Sequence, residues 1–170
     1  AVFTTDGVQS AAMSIGTHIK GGWGSRRKLA VCNSTNCSVV TDQKPGLKVK
    51  FNFGDANKKQ RFYGLKEITL NSMVQDQSML HETVAYRIAR AAGIPAPRTG
   101  YMRLYVNGRD LGLHMLLETY EKPLYKRWFT TGTQHSYEGA YWQDVINSSY
   151  GAMQMHEGYE TQRDDLANIA

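Results

Sequence analysis

Chemistry first becomes possible in this chain at a short basic stretch rich in glycine. Lys20-Gly21-Gly22 and Gly24-Ser25-Arg26-Arg27 set bare backbone N–H groups beside cations, a combination that can meet a phosphate. Lys48 follows on a segment where it alternates out of the apolar positions. Glu82 comes next, inside a run with helical spacing, and then the stretch Leu116-Leu117-Glu118-Thr119-Tyr120-Glu121. A lysine is a compact point charge suited to phosphate oxygens, and a glutamate can hold such a lysine in place. Each of these residues also occurs in ordinary soluble domains, so their order along the chain carries more than any one of them.

Other chemistries lack a residue they need. His81-Glu82 begins a zinc-protease pattern, but the position that needs the second histidine is Ala85. No G-x-S-x-G elbow occurs, and Gly22 and Gly24 lead to Ser25-Arg26 rather than to the Lys-Ser/Thr of a Walker loop. Cys32 and Cys37 stand too far from other ligands for zinc, and a local disulfide closing a polar loop fits them better. That pairing points to an oxidising compartment, hence to a secreted or extracellular-surface location. Asn33-Ser34-Thr35, Asn147-Ser148-Ser149 and Asn36-Cys37-Ser38 match the acceptor pattern for N-glycosylation, so Asn33 and Asn147 are candidate sites.

The elements that must position these residues belong to one domain. The 170 residues suffice for a single core, and 41% apolar with 21% charged residues is a globular balance that argues against disorder. Residues 1–60 carry nine Lys/Arg against three Asp/Glu, whereas 131–170 carry one against six. No run of five like charges occurs, so a nucleic-acid arm is not expected; nor is a membrane span, since no apolar stretch is long enough. Period-two alternation predicts a strand over Leu47–Phe53, with Leu47, Val49, Phe51 and Phe53 facing the core, and a second strand over Leu65–Leu70. A helix is predicted over Gln77–Ala92. Asp76 or Ser78 caps its start, Leu80, Val84, Ile88 and Ala92, with Ala85 and Ala89 beside them, form one apolar, core-facing side, and Gly93 ends it. Asn107-Gly108 predicts a two-residue hairpin turn. Short helices are expected at Pro123–Phe129 and Asp164–Ile169. The sum is an α+β domain with an antiparallel sheet and packed helices.

Glycine-rich turn, strand lysine, helix glutamate and hinge, in that order, are the parts protein kinases use around ATP. Longer blocks sharpen this. Leu70-Asn71-Ser72-Met73-Val74-Gln75-Asp76-Gln77-Ser78-Met79-Leu80-His81-Glu82 resembles the L-N-x-x-x-x-D-x-S-x-L-R-E block of the CotH family, the spore-coat H-type protein kinases. Gly93-Ile94-Pro95-Ala96-Pro97-Arg98 resembles its G-[VI]-P-A-P-R segment, and Tyr105-Val106-Asn107-Gly108 with Gly112 its Y-V-N-G-x-x-x-G hairpin. Lys44 to Phe51 is similar to its K-x-S-x-K-[IL]-x-F strand, with Gly46 where serine is usual. The resemblance covers residues 15–130 closely and 131–170 loosely.

The resemblance implies an atypical kinase-like N-lobe, ATP with a divalent metal (Mg or Mn), and transfer of phosphate to Ser/Thr of secreted or surface proteins. Lys48 maps to the nucleotide-phosphate lysine, with Lys50 as its alternative. Glu82 maps to that lysine's ion-pair partner, Gly22, Gly24 and Ser25 to the phosphate turn, and Glu118, Thr119 and Glu121 to the adenine region. The family's catalytic and metal-binding aspartates fall beyond the segment that Gly158–Leu166 resembles. The chain as given is therefore expected to carry the nucleotide-lobe half and to be inactive by itself, with its cut face covered by self-association or by a second chain. The competing expectation is a non-catalytic, adhesin-like binding or structural module on the same scaffold.

Overall fold

Five antiparallel strands build the main sheet. The computed structural model describes residues 1–22, 25–39, 43–54, 56, 58–130, 135–139 and 153–157. Gly24, Asn147 and the helix expected at Asp164–Ile169 lie outside them. Along the chain the elements are β1 (Thr4–Thr5), β2 (Val8–Gln9), β3 (Gly16–Lys20), β4 (Ala30–Cys32), β5 (Cys37–Val39), β6 (Gly46–Lys50), β7 (Glu67–Asn71), α1 (His81–Ala91), β8 (Thr99–Val106), β9 (Arg109–Glu118), α2 (Lys122–Trp128), β10 (Ser136–Glu138) and β11 (Gln154–Glu157). The main sheet runs in the order β3-β6-β7-β9-β8. The chain divides into two units, Ala1–Thr119, which holds this sheet and α1, and Tyr120–Ala170, which holds α2 and the β10-β11 pair.

One face of the sheet is apolar. Leu47 pairs with Leu70, and Leu70 with Leu116, so branched side chains stand in register across three strands. Val49, Ile68 and Phe51 extend this core, and Phe3 joins it from the N-terminal segment. The rings of Phe3, Phe51 and Phe62 lie 4.5–5.4 Å apart by centroid, inside the range where aromatic pairs attract beyond their buried area. The alternation over Leu47–Phe51 is therefore as expected. Phe53 is not in the core: β6 ends at Lys50, the chain turns, and Phe53 is left exposed.

The β8-β9 hairpin turns at Asn107 and Gly108 with φ of 52° and 76°, the left-handed pair that this tight turn requires. Gly93, at φ 78°, ends α1, and its N–H donates to the Arg90 carbonyl. α1 starts at His81, four residues later than its spacing suggests. Met79 sits at φ 56°, which no helix tolerates, and the Asp76 carboxylate accepts the His81 N–H at 2.9 Å.

The larger departure is the face that α1 buries. Glu82, Thr83, Tyr86, Ala89 and Arg90 are half-buried, while Leu80, Val84 and Ile88 are 53%, 47% and 63% exposed. The expected core-facing stripe faces solvent, because polar partners on the sheet draw the other stripe inward. Cys32 and Cys37 form the expected disulfide across the β4-β5 pair, where they stand opposite each other. The four-residue loop between them closes on the Asn33 side-chain oxygen, which accepts from the Thr35 and Asn36 amides at 3.0 and 2.7 Å.

Candidate nucleotide-phosphate site

The sheet face opposite the core carries the polar groups, and α1 lies against it. β3 places Lys20 opposite Gly46 on β6. With no side chain at Gly46, the Lys20 ammonium reaches over that strand to Asn71 on β7, donating to Oδ1 at 3.0 Å. A Cβ at Gly46 would come within 3.2 Å of the Lys20 carbonyl oxygen and 3.4 Å of the Leu70 oxygen, so the close passage suits glycine. The Asn71 amide Nδ2 then donates to both carboxylate oxygens of Glu82, at 2.9 and 3.0 Å. Ammonium, amide and carboxylate form a relay in which the amide has only one consistent orientation: oxygen towards the cation, nitrogen towards the anion. Beside it Thr83 donates to the Met115 sulfur at 3.1 Å and Tyr101 donates to Thr83 at 3.0 Å, pinning the first turn of α1 to the sheet.

A cavity of about 280 Å³ opens at this relay. Lys20, Gly21, Ser25, Asn71, Asp76 and Glu82 are among its walls, so the glycine-rich turn and the glutamate of α1 share one concavity. The turn is closed by its own bonds: the Gly22 N–H donates to Ser25 Oγ at 3.1 Å, and the Ser25 and Arg26 amides donate to the Gly22 carbonyl.

Lys48 sits elsewhere. Its ammonium meets Glu67 Oε1 at 2.5 Å, and it is not on the cavity wall. The expected Lys48–Glu82 pair is therefore replaced by Lys48–Glu67. The register explains why: Lys50 stands directly opposite Glu67, but Lys48, facing Thr69, reaches Glu67 along the diagonal. Glu67 is buried at 9% side-chain exposure and Lys48 keeps 33%, so the lysine supplies the counter-charge that a buried carboxylate needs. Lys50, the alternative, is exposed. Glu118 is buried and held by Arg98, whose backbone amide, Nε and Nη2 lie 3.0–3.3 Å from its oxygens. Thr119 donates to the Glu67 carbonyl at 3.5 Å. Glu121 stands in the second unit as the N-cap residue of α2.

Asp76, Ser78 and His81 look like a hydrolytic triad and are not one. Both Ser78 Oγ and Asp76 Oδ1 contact the same ring nitrogen, Nδ1, at 3.1 and 2.7 Å, whereas a triad uses opposite nitrogens for nucleophile and orienting acid. The Ser78 hydroxyl, together with hydrogen bonds from His81, holds the Asp76 carboxyl well below the usual carboxylate range. Neither Asp76 nor Ser78 is the N-cap residue of α1, which is Leu80; their side chains accept the His81 and Leu80 N–H groups from the loop before it.

Sequence reasoning named Lys20 only as a flank of the glycine turn and quoted Asn71 only inside a motif. The signal for both was available: a lysine at the last residue of a strand entering that turn, and an asparagine in the block that leads to Glu82.

Antiparallel strands with one helix packed on the polar face of the main sheet define an α+β protein. A profile of the CotH kinase protein family matches residues 20–169, and the chain belongs to that family. A search of curated proteins finds no match.

Proposed function

We propose that this chain supplies the nucleotide-binding lobe of a secreted or surface-exposed CotH-type kinase, which takes ATP as donor and Ser/Thr of a protein as acceptor. The observation that carries the reading is the shared cavity: a glycine-rich turn and the glutamate of α1 meet there, in a chain of this family. The strand succession supports it too. Three antiparallel strands, one helix bearing a glutamate, then a hairpin returning to the sheet repeat the order of parts around ATP in protein kinases. ATP supplies the phosphoryl group, and the protein's share is to neutralise and orient its phosphates. Among the described residues no three His, Cys, Asp or Glu converge as metal ligands, so no step through a metal is assigned to them. The disulfide supports an oxidising location. No helix among the described residues is long and apolar enough to cross a membrane.

A binding module on the same scaffold is the second reading, and the solvent-facing stripe of Leu80, Val84 and Ile88 favours it. Titration with a fluorescent ATP analogue separates the two. Saturable binding, competed by unlabelled ATP, is expected from the kinase-lobe reading. No binding at millimolar ATP overturns it and leaves the module.

A further inference from the structure

We infer that the connection between β6 and β7 is a tip that seats the protein on an anionic lipid surface. Phe53 and Tyr63 enter the interface, and Lys58, Lys59, Arg61 and Lys66 meet the headgroups. The inference does not depend on the nucleotide reading. Gly46 and Asn71, on the cavity wall, stand at the first residue of β6 and the last of β7, whereas the connection joins the other ends of those strands. Tip and cavity are therefore a strand's length apart.

Three observations converge. The first is a pair of exposed rings on a fixed base. Phe51 and Phe62 pack against each other and against Phe3. Phe53 and Tyr63, close beside them in the chain, are 56% and 78% exposed. The Gln60 amide ties the base together, donating to the Phe51 and Ser14 carbonyls at 2.8 and 2.7 Å. The second is the turn that carries Tyr63. Phe62 and Leu65 exchange backbone hydrogen bonds of 3.0 and 2.9 Å across Tyr63-Gly64. Tyr63 sits at φ 48° and Gly64 at 81°, a turn that favours asparagine where this chain has a bulky ring. No contact within the chain accounts for so costly a residue turned into water beyond its edge-on packing with Phe62. The third is charge. Residues 58–66 hold four cations and no Asp or Glu, and all four cations are exposed. Among the described residues no carboxylate pairs with Lys59 or Lys66.

The shape of the tip chooses lipid over a folded partner. A stable protein interface takes about 800 Å² from each side, and two aromatic side chains offer about 150–250 Å² apiece. A lipid surface asks for less: rings that reach headgroup level and cations within screening distance of anionic headgroups. Tyrosine suits that depth, with an apolar ring and a hydroxyl that stays wet.

The test is cosedimentation of the chain with vesicles of phosphatidylcholine alone, or of phosphatidylcholine with about 30% phosphatidylserine, at about 0.15 M salt. The wild type is expected to bind the anionic vesicles about tenfold or more tighter than the neutral ones. Tyr63→Asn should weaken that binding about 5- to 20-fold. Its melting temperature should hold or rise, because asparagine accepts the left-handed turn, so misfolding cannot explain the loss. Lys59→Glu paired with Lys66→Glu should weaken binding about 25-fold or more. Arg103→Ala, which removes an exposed cation on β8, should stay within about twofold of wild type. Equal binding by Tyr63→Asn and wild type overturns the inference, as does an Arg103 loss as large as that of the lysine pair. Indifference to phosphatidylserine overturns it too. Retention on polyglutamate without binding to either vesicle also overturns it, and puts an acidic protein in the lipid's place.

Discussion

The two faces of the five-stranded sheet are held by different physics. On one, Leu47, Leu70 and Leu116 stand in register above the Phe3, Phe51 and Phe62 rings. Its strength comes mainly from area removed from water, with the fit of neighbouring side chains adding to it. On the other, Lys48–Glu67 and Lys20–Asn71–Glu82 are made of single, directional contacts. Each fixes an atom rather than adding bulk cohesion, since charge pairing barely repays desolvation. The lesson is a division of labour within a few strands: alternate residues of β6 and β7 build stability and geometry side by side.

The largest effect should come from the apolar face. Phe51→Ala is expected to cost about 3–5 kcal/mol in urea denaturation, because Phe51 is fully buried against two other rings. A cost no greater than that of a polar-face deletion would break the contrast. Next, Lys48→Ala should cost about 1–3 kcal/mol by leaving Glu67 buried and unpaired. Converting both partners, Lys48→Met with Glu67→Leu, should return to within about 1 kcal/mol of wild type. If the double variant is as unstable as the single one, the pair has a value of its own that this account denies.

A smaller effect concerns His114, which is fully buried, with Nε2 2.9 Å from the Pro45 carbonyl oxygen and Nδ1 3.1 Å from that of Gly112. Burial pushes its pKa down, against the pull of those two carbonyls. The unfolded chain therefore takes up a proton first as pH falls. The contribution is fully present above the ordinary histidine value near 6.5, and is lost as pH drops from there through the folded value. The melting temperature should fall over that window, and His114→Gln should flatten the fall. An unaltered profile in the variant would assign it to other groups. Smallest of all, Arg103→Ala removes an exposed pair with Asp110 and should leave the denaturation midpoint unmoved, since solvent screens such contacts.

The apolar face was legible in the sequence, because period-two alternation is local and each strand declares its inward residues. The Asn107-Gly108 turn, the Gly93 cap and the Cys32–Cys37 bridge were legible for the same reason: each is settled within a few residues. The polar face was not. That Lys48 answers to Glu67 depends on a diagonal between strands whose register no single segment encodes. The Lys20–Asn71 bond joins residues 51 apart. The orientation of α1 was misread because Leu80, Val84 and Ile88 made the more apolar stripe. The partners that draw the other stripe inward, Asn71, Met115 and Tyr101, lie on three strands. Phe53 obeys the alternation but stands beyond the point where pairing stops, and periodicity does not reveal where a strand ends.

The covalent clip at Cys32–Cys37 spans only its own turn and ties no strand of the main sheet to another. Reductant should therefore loosen one hairpin and leave the cavity beside Asn71 and Glu82 intact, so that the proposed nucleotide binding should not depend on the redox state of that bridge. A preparation made in a reducing host would be a fair specimen for every titration described above.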